Sequence, residues 1–403
     1  MRVVLTTWGS RGDIEPLAGL AVRLKDLGAE VRFCAAPDEE FVELLARVGL
    51  DLIPLGPTVK SVVARERPPT PDDAFVLAAK LVAARFETLG RVAQGCDAMV
   101  ATGLMPSGAR SVADQLGLRY LLAAFHVYGL PSQHFKPGRR PGNAPEVDEN
   151  DLEALWQRDA DLVYALYGEA ENSHRAAIGL PPVANIRDYV FGERALLAAD
   201  PILCPWAELT DVDLVQTGAW FLPDERPLPA EVTAFLEAGA PPVYVGFGSM
   251  AMHSTPGLAR IVVDAVRSQG RRVLLAKGWA DLAAIDDQDD CLAVGDINHQ
   301  ALFPQVAAIV HHGGAGTTTA ATRAGVPQVV VPQFADQPLW AGRVAELGIG
   351  VAHDGPTPTF ESLSAALAIA LAPQTQERAK AVGGTIRADG TTVAAKLILD
   401  GRF

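Results

Sequence analysis

The chain has 403 residues, of which 49% are hydrophobic and 20% are charged, a balance typical of folded proteins with room for two domains. Its net charge of -14 argues against nucleic-acid binding, because the neutralisation of phosphates requires a basic surface. No apolar run approaches the roughly 18 residues that a membrane span requires, so we expect no stable membrane insertion.

Four cysteines lie far apart, at Cys34, Cys96, Cys204 and Cys291. They form no C-x-x-C pair and no metal-ligand pattern. Free thiols in strand-like runs suit a reducing compartment, and the N-terminus leads into a strand without a signal peptide. We therefore expect a cytoplasmic protein.

The first half of the chain alternates strands with helices, which is typical of a doubly wound α/β fold with a parallel sheet. In the last of its helices, Trp156, Tyr164 and Tyr167 are the expected packing anchors. The predicted elements, in order, are a strand at 3–7, a helix at 16–27, a strand at 31–35, a helix at 41–48, a strand at 52–55, a loop at 58–73, a helix at 74–94, a strand at 98–101, a helix at 107–116, a strand at 120–125 and a helix at 151–178.

Residues 128–150 interrupt this alternation with prolines and glycines. A long irregular loop inside a compact domain is usually functional or mobile. We interpret it as a loop that faces the substrate, and a disordered insertion is the alternative.

The α/β pattern restarts after residues 216–227, which have the composition of an interdomain linker. The sequence therefore predicts domains at 1–215 and 228–385, followed by a C-terminal helix within 386–403. Ligands bind outside the carboxyl ends of such strands, so we expect the site between the two domains. After a strand region at 196–201, the predicted strands are 243–247, 273–276, 292–294, 307–310, 329–331 and 350–352, and the predicted helices are 258–269, 338–347, 360–371 and 391–399.

A turn that could bind an anion follows the strand at 307–310. Residues 311–317 (HHGGAGT) lead from that strand into a helix, and a helix N-terminus offers free N–H groups and the positive end of its dipole to a phosphate. Taken alone, the turn fits an ordinary strand–helix connection equally well. We expect His312 to donate to phosphate and His311 to face elsewhere.

Other strand ends of the second half add polar groups. Ser249 and Lys277 follow the strands at 243–247 and 273–276 in glycine turns, and three such turns at one edge strengthen the phosphate interpretation. Asp336 and Gln337 follow the strand at 329–331, where their side chains suit the paired hydroxyls of a sugar. Helix capping by Asp336 is the alternative.

In the first half, Asp13 follows the first strand and is a candidate general base, a group that must reach the proton it takes. His126, at the end of the strand at 120–125, is a second candidate for the crevice. A helix cap is the alternative for Asp13, and a partly buried polar residue is the alternative for His126.

Two acidic patterns could attract a cation. Asp211 and Asp213 form a D-x-D, but within a linker rather than at a strand end, and residues 286–290 (DDQDD) are interpreted as a solvated loop. We assign no metal site to either pattern.

Taken together, the motifs resemble those of the inverting GT-B glycosyltransferases that use nucleotide sugars, on residues 246–249 (GFGS), 311–317 and 335–338 (ADQP). More narrowly, the chain resembles the glycosyltransferases of vancomycin-group glycopeptide antibiotic biosynthesis. The segments that carry this resemblance span nearly the whole chain and are 9–13 (GSRGD), 172–175 (NSHR), 178–183 (IGLPPV), 198–201 (AADP), 216–220 (QTGAW), 223–227 (PDERP) and 278–282 (GWADL).

This resemblance implies two Rossmann-like domains facing across a cleft, with the acceptor bound by the first, the donor by the second, and a final helix that crosses back. It implies a UDP- or TDP-sugar donor, a glycopeptide aglycone acceptor, no metal or other cofactor, and a monomer. Asp13 would be the base, with Ser10 beside it. The implied donor-binding residues are Ser249, Lys277, Trp279, Ile297, Asn298, His312, Gly314, Gly316, Thr317, Asp336 and Gln337.

Family members differ most in the 128–150 loop, so we expect acceptor contacts in and just before it, from His126, Tyr128, His134 and Phe135. One departure lies at 276–279, where the family usually has Ser-Arg-Gly-Trp and this chain has Ala-Lys-Gly-Trp. Some members that use amino-deoxysugars lack the Asp-Gln pair, so its presence favours a hydroxyl-rich hexose such as glucose or N-acetylglucosamine.

Three alternatives stay open. A glycosyltransferase of this fold could act on another natural product or a lipid. A non-catalytic nucleotide-sugar binder is disfavoured by the presence of Asp13 together with Asp336 and Gln337. A dinucleotide-dependent oxidoreductase is disfavoured because the first strand is not followed by G-x-G-x-x-G.

Overall fold

The computed structural model describes residues 1–63, 70–142, 144–206, 213–248, 257–278, 282, 286 and 288–401. They form two compact units. Unit 1 comprises Met1–Pro201, Trp206–Leu222 and Ala388–Phe403, and unit 2 comprises Ile202–Pro205 and Pro223–Arg387. The passage from Leu222 to Pro223 lies inside the segment expected to be a linker. In the part of the chain described, no helix is long and apolar enough to cross a membrane.

Unit 1 is built on a parallel sheet with the strand order β3-β2-β1-β4-β5-β6-β7. Its strands are β1 (Arg2–Trp8), β2 (Glu30–Ala35), β3 (Leu52–Pro54), β4 (Ala98–Gly103), β5 (Arg119–Ala124), β6 (Arg194–Leu197) and β7 (Asp213–Gln216). Its helices before the linker are α1 (Arg11–Asp26), α2 (Glu39–Arg47), α3 (Val59–Val63), α4 (Pro71–Val92), α5 (Ala109–Leu116), α6 (Leu152–Ala177) and α7 (Ile186–Phe191).

Unit 2 has a second parallel sheet, in the order β10-β9-β8-β11-β12-β13. Its strands are β8 (Val243–Gly246), β9 (Val273–Ala276), β10 (Cys291–Val294), β11 (Ala308–His311), β12 (Gln328–Val330) and β13 (Gly350–Ala352). Its helices are α8 (Ala230–Glu237), α9 (Leu258–Ser268), α10 (His299–Leu302), α11 (Ala315–Arg323), α12 (Gln337–Glu346), α13 (Phe360–Ala370) and α14 (Pro373–Gly383), and α15 (Gly390–Asp400) then returns to unit 1.

Helices cover both faces of the second sheet. Val243 and Val245 of β8 pack in one apolar cluster with residues of α9 and α13, whereas Tyr244 between them packs in another with residues of α8 and α11. Side chains of a strand alternate between the faces, so a parallel sheet buried on both sides requires continuous apolar strands. This burial leaves the ends of the strands as the place where polar residues can act.

Helix α1 begins five residues earlier than predicted. Ser10 is its N-cap and accepts from the backbone N–H of Gly12 at 3.3 Å, so Asp13 lies in the first turn of the helix rather than in a loop. Pro16 lies inside the helix and removes one N–H donor. Gly12 is exposed, so water can hydrate the carbonyl that Pro16 leaves without a donor.

Strand β7 was missed by the sequence analysis, which placed Asp213 in a linker. Asp213 is the first residue of β7 and forms an ion pair with Arg194 of β6. A strand of four residues at the edge of a sheet carries too little alternation to be recognised. Asp211 lies outside the described residues.

Two further expectations are corrected by the packing of side chains. Tyr164 is 43% exposed, so it is not a packing anchor as Trp156 and Tyr167 are. In the acidic run at 286–290, Asp286 and Asp290 both bind the guanidinium of Arg267, at 2.7 and 2.6 Å, and are therefore not merely solvated.

The C-terminal helix α15 is tied into unit 1 by close contacts. Thr392 accepts from the Arg23 guanidinium at 3.0 Å, and Thr391 accepts from the Phe221 backbone N–H at 3.2 Å. A Cβ on Gly390 would lie 2.5 Å from the carbonyl oxygen of Gly218, so only glycine allows this approach. Residues after 387 thus complete the first unit.

Candidate active site

The carboxyl ends of three neighbouring strands in unit 2 meet in glycine turns. Strands β9, β8 and β11 are adjacent in the sheet, and Gly278, Gly248 and Gly313 follow them with φ of +48°, +54° and +90°. Such positive φ values favour glycine. A Cβ on Gly278 would lie 2.6 Å from the carbonyl oxygen of Gly248, so the first two turns pack directly on each other.

His312 lies between two of these turns. A Cβ on Gly314 would be 2.6 Å from its Nε2, and a Cβ on Gly248 would be 3.2 Å from its Cε1. Its Nδ1 is buried and has no hydrogen-bond partner among the residues that the structure describes. Burial lowers the pKa of His312 to about 4, although the negative charge of Asp336 opposes the shift. The imidazole is therefore neutral near pH 7 and has one N–H to donate.

His311 is engaged in hydrogen bonds inside unit 2. It is fully buried, its Nε2 lies 2.9 Å from the Gln328 side-chain oxygen, and its Nδ1 accepts from the Gly313 backbone N–H at 3.0 Å. Burial lowers its pKa to about 3. His311 thus shapes the turn in its neutral form.

Helix α11 starts at this turn with Gly314 as its N-cap and no side-chain cap. The hydroxyls of Thr318 and Thr319 bond back to the Gly314 and Ala315 carbonyls, at 2.9 and 2.7 Å, so neither is directed toward a ligand. Gly316 is exposed, and a Cβ there would meet nothing within 4 Å. The first N–H groups of a helix have no intrahelical partners, which leaves the start of α11 suited to an anion.

Asp336 and Gln337 lie at the start of α12. Asp336 is the N-cap but makes no side-chain cap bond, so the capping alternative does not describe it. Its carboxylate instead accepts from Trp340 Nε1 at 2.6 Å. Gln337 is buried, and its side-chain oxygen accepts from the backbone N–H of Gln333 at 2.7 Å.

The remaining donor-side candidates occupy varied environments. Asn298 is buried and donates to the Asp224 and Arg226 carbonyls at 2.8 and 2.7 Å, so it fastens the linker to unit 2. Ile297 packs in an apolar cluster, and Lys277 is exposed after β9. Thr317 is half-buried in the first turn of α11. Ser249 and Trp279 lie outside the described residues.

At the corresponding edge of unit 1, Asp13 folds back over the end of β1. A Cβ on Gly9 would overlap the Asp13 carboxylate, so glycine is required there for the side chain to reach the strand end. The Asp13 backbone N–H donates to the Ser10 carbonyl at 2.9 Å. Ser10 and Asp13 are therefore neighbours, both partly exposed.

The acceptor-side candidates lie on an irregular but anchored segment of unit 1. Within the described residues, His126 Nδ1 is buried without a hydrogen-bond partner, and its ring meets that of Tyr128 edge-on at 6.1 Å. Phe135 stacks on Trp206 at 6.5 Å, and its carbonyl accepts from Trp156 Nε1 at 2.8 Å. His134 is exposed.

A further bond fixes the same loop, because Arg140 donates to Asp159 of α6 at 2.5 Å. Together with the Trp156 bond, this contact ties both halves of the loop to one helix.

Sequence reasoning missed a buried polar cluster behind the β4–α5 connection. Arg85, 1% exposed, donates to the carbonyls of Leu104, Met105 and Ser107 at 2.9–3.1 Å. Glu171, fully buried, accepts from the Ser107 hydroxyl at 2.5 Å. Neither residue follows a strand, so a search of strand ends does not find them.

The sequence of the chain is similar to those of known proteins. Residues 273–392 match the family described as "Erythromycin biosynthesis protein CIII-like, C-terminal domain". The chain is 52% identical to vancomycin aglycone glucosyltransferase of Amycolatopsis orientalis, over 99% of this chain and 97% of that protein. It is 48% identical to dTDP-epi-vancosaminyltransferase of the same organism, with the same coverage.

Similarity to solved structures supports the fold. The glycosyltransferase of kitacinnamycin matches with a TM-score of 0.74 at 21% identity, over 99% of this chain and 98% of that one. The two parallel sheets with their helices are thus those of the GT-B fold, as the sequence resemblance implied. With identities near one half over almost the full length, the chain is an enzyme and belongs to the GT-B glycosyltransferases of glycopeptide antibiotic biosynthesis.

Proposed function

We propose that this chain transfers a sugar from a UDP- or TDP-sugar to a hydroxyl of a glycopeptide aglycone, with inversion at the anomeric carbon. Binding of the nucleotide-sugar donor is supported by one observation above all, which is that the neutral His312 packs against glycine turns at the start of α11. The similarity to a vancomycin aglycone glucosyltransferase supports the acceptor half.

In the proposed reaction, the acceptor oxygen forms a bond to the anomeric carbon while the bond from that carbon to the diphosphate oxygen breaks. Asp13 takes the proton of the acceptor hydroxyl, and Ser10 lies beside it. The electron pair of the broken bond leaves with the diphosphate. Inversion follows because attack and departure occur on opposite faces of one carbon.

The leaving diphosphate gains negative charge, which the N–H groups at the start of α11, His312, Thr317 and Ser249 are proposed to stabilise. Preorganised donors of this kind need no reorganisation during the reaction. We therefore propose that no metal is required, and expect turnover to be unchanged by excess EDTA. A loss of turnover that added Mg²⁺ restores would contradict this part of the proposal.

We also propose that the enzyme works as a monomer in the cytoplasm. The four cysteines are free thiols, and Cys34, Cys96 and Cys204 are buried, which suits a reducing compartment. Sedimentation of the purified chain tests the monomer, and a stable dimer at micromolar concentration would overturn it.

The base is tested with Asp13→Asn, which keeps the size of the side chain but cannot accept the proton. We expect turnover to fall at least 100-fold while the affinity for UDP or TDP stays within twofold, as for loss of a group that acts in proton transfer. The matched control is Glu15→Gln, which removes a carboxylate of the same helix that pairs with Arg11 at 2.9 Å. Turnover of Asp13→Asn within threefold of the wild type would show that Asp13 is not the base.

Substrate identity is tested by mass spectrometry of the vancomycin heptapeptide aglycone incubated with UDP- and TDP-sugars. A mass increase of one hexose from a glucose donor is expected. No transfer to the aglycone, together with transfer to an unrelated phenol, would assign the enzyme to another acceptor class.

A further inference from the structure

The start of α12 holds the sugar-binding candidates in place through its own side chains. Trp340 is one helical turn after Asp336, so the two side chains share a face of the helix. The indole N–H of Trp340 donates to the Asp336 carboxylate at 2.6 Å, and Trp340 is 1% exposed. A buried ring of this size has little freedom to move, so the carboxylate oxygen that it holds is fixed.

The neighbouring amide has a different partner. The side-chain oxygen of Gln337 accepts from the backbone N–H groups of Gln333 and Phe334, at 2.7 and 3.3 Å. It therefore holds the loop before α12, in which Ala335 has a φ of +57°, a conformation that costs free energy for a residue with a Cβ. Because the side-chain oxygen of Gln337 already accepts hydrogen bonds from the loop, the carboxylate of Asp336 is the acceptor of this pair that we expect to bind a sugar hydroxyl.

This subsite adjoins the anion turn within unit 2. A Cβ on Gly313 would lie 3.2 Å from the Gln337 carbonyl oxygen, so the turn packs on the first residue of α12. Asp336 is also close enough to His312 for its charge to affect that imidazole. A sugar attached to a diphosphate at the turn would thus have Asp336 within its surroundings.

We propose that Trp340 is a positioning residue of the donor subsite, which holds one carboxylate oxygen of Asp336 so that the other accepts a hydroxyl of the transferred sugar. This inference rests on the proposed function, because it requires a nucleotide sugar at the turn. It predicts a donor whose sugar carries a free hydroxyl at the contacted position. It also predicts that loss of the indole N–H weakens binding of the nucleotide sugar but not binding of the free nucleotide.

The test measures binding without an acceptor, by calorimetry with UDP, TDP and the corresponding glucose donors. Trp340→Phe keeps a buried aromatic ring and removes the N–H donor, but it also leaves a smaller side chain, which is why a control for lost volume is needed. We expect it to weaken binding of the glucose donor about tenfold, as for loss of a hydrogen bond to a charged group, while binding of the free nucleotide stays within twofold. Val344→Ala is the matched control, because Val344 is fully buried one turn further along α12 and has no polar side-chain atom.

Binding of deoxy donors distinguishes the loss of one sugar contact from a general structural effect. With the 3-deoxy and 4-deoxy analogues of the glucose donor, the analogue that lacks the contacted hydroxyl should bind equally well to wild type and Trp340→Phe. A merely structural role would instead weaken all ligands together, as Val344→Ala would. Equal weakening of nucleotide and donor, or no weakening at all, overturns the proposal.

The two hypotheses fail in different ways. A wild-type chain that binds the donor but glycosylates no glycopeptide aglycone refutes the proposed acceptor and leaves the result for Trp340 intact. A wild-type chain that binds neither UDP- nor TDP-glucose overturns both hypotheses.

Discussion

Gly314→Ala is expected to damage catalysis through a single methyl group. The added Cβ would lie 2.6 Å from His312 Nε2, whereas ordinary van der Waals contact begins at 3.4 Å, so the imidazole and the helix start must separate by about 0.8 Å. A displacement of about 1 Å in a positioned group can cost about 100-fold in rate. We therefore expect kcat to fall 10- to 100-fold with a smaller change in KM for the donor.

The fold should survive this change. Gly314 has φ -62° and ψ 141°, which alanine adopts without strain, and alanine at an N-cap costs about 1 kcal/mol. Gly342→Ala is the control, since Gly342 is exposed inside α12 and a Cβ there meets nothing within 4 Å. It should raise stability by about 0.5–1 kcal/mol without affecting kcat.

The assay combines initial rates with an NMR titration of His312. If the methyl group moves the ring toward solvent, the pKa of His312 should rise from about 4 toward the ordinary histidine value. A kcat of Gly314→Ala within twofold of the wild type, with an unchanged His312 titration, would refute the reasoning.

Two further predictions concern stability. Burial lowers the pKa of His311 to about 3 in the folded chain, against 6.5 for an ordinary histidine. Unfolding therefore takes up a proton between those pH values, and the free energy of unfolding falls as the pH drops below 6.5, by about 2 kcal/mol at pH 5 from this residue alone. Urea unfolding at pH 7 and pH 5 should show a smaller difference for His311→Asn than for the wild type, and an equal difference would contradict this assignment. Arg85→Met should lower the free energy of unfolding by about 3 kcal/mol, because the carbonyls of Met105 and Ser107, in buried hydrogen bonds, and that of Leu104, in a part-buried one, lose their donor. Arg85→Lys should recover part of that loss, and equal stability of Arg85→Met and wild type in urea would exclude such a role.

Sequence patterns predicted the parts of the fold that local physics determines. Strands followed by glycine turns, such as β8 and β11, combine an apolar run with residues that permit positive φ, and both signals can be read locally. Strand β7 and helix α10, each four residues long, carry too little periodicity to be recognised. The sequence predicts the start of α1 at Pro16, five residues too late, because proline is common in the first turn of a helix, whereas here it lies further inside the helix.

The sequence predicts which residues of the candidate site follow strand ends, but not which residues form hydrogen bonds with groups distant in the sequence. The positions of Asp13, His312 and Asp336 at strand ends were predictable, and their roles stay predictions. That Asn298 holds the linker depends on carbonyls more than 70 positions away, which no local pattern reveals. Trp340 was within reach of sequence reasoning, because an acidic residue four positions before a tryptophan on a helix predicts their contact.

The glycines around His312 determine its protonation state as well as its position. They allow the turns at Gly248 and Gly314 to approach the ring so closely that its Nδ1 is buried, and desolvation is the main cause of the lowered pKa of His312. A neutral imidazole that is held in place keeps the orientation of its N–H. It carries no net charge, so it does not add a strong attraction to the diphosphate of the bound donor before the sugar is transferred. Catalysis requires interactions that strengthen as the charge develops. If His312 donates to the leaving diphosphate as proposed, we expect the close packing of glycine on its ring to favour the transition state over the bound donor, and any side chain larger than hydrogen at Gly314 to reduce that preference.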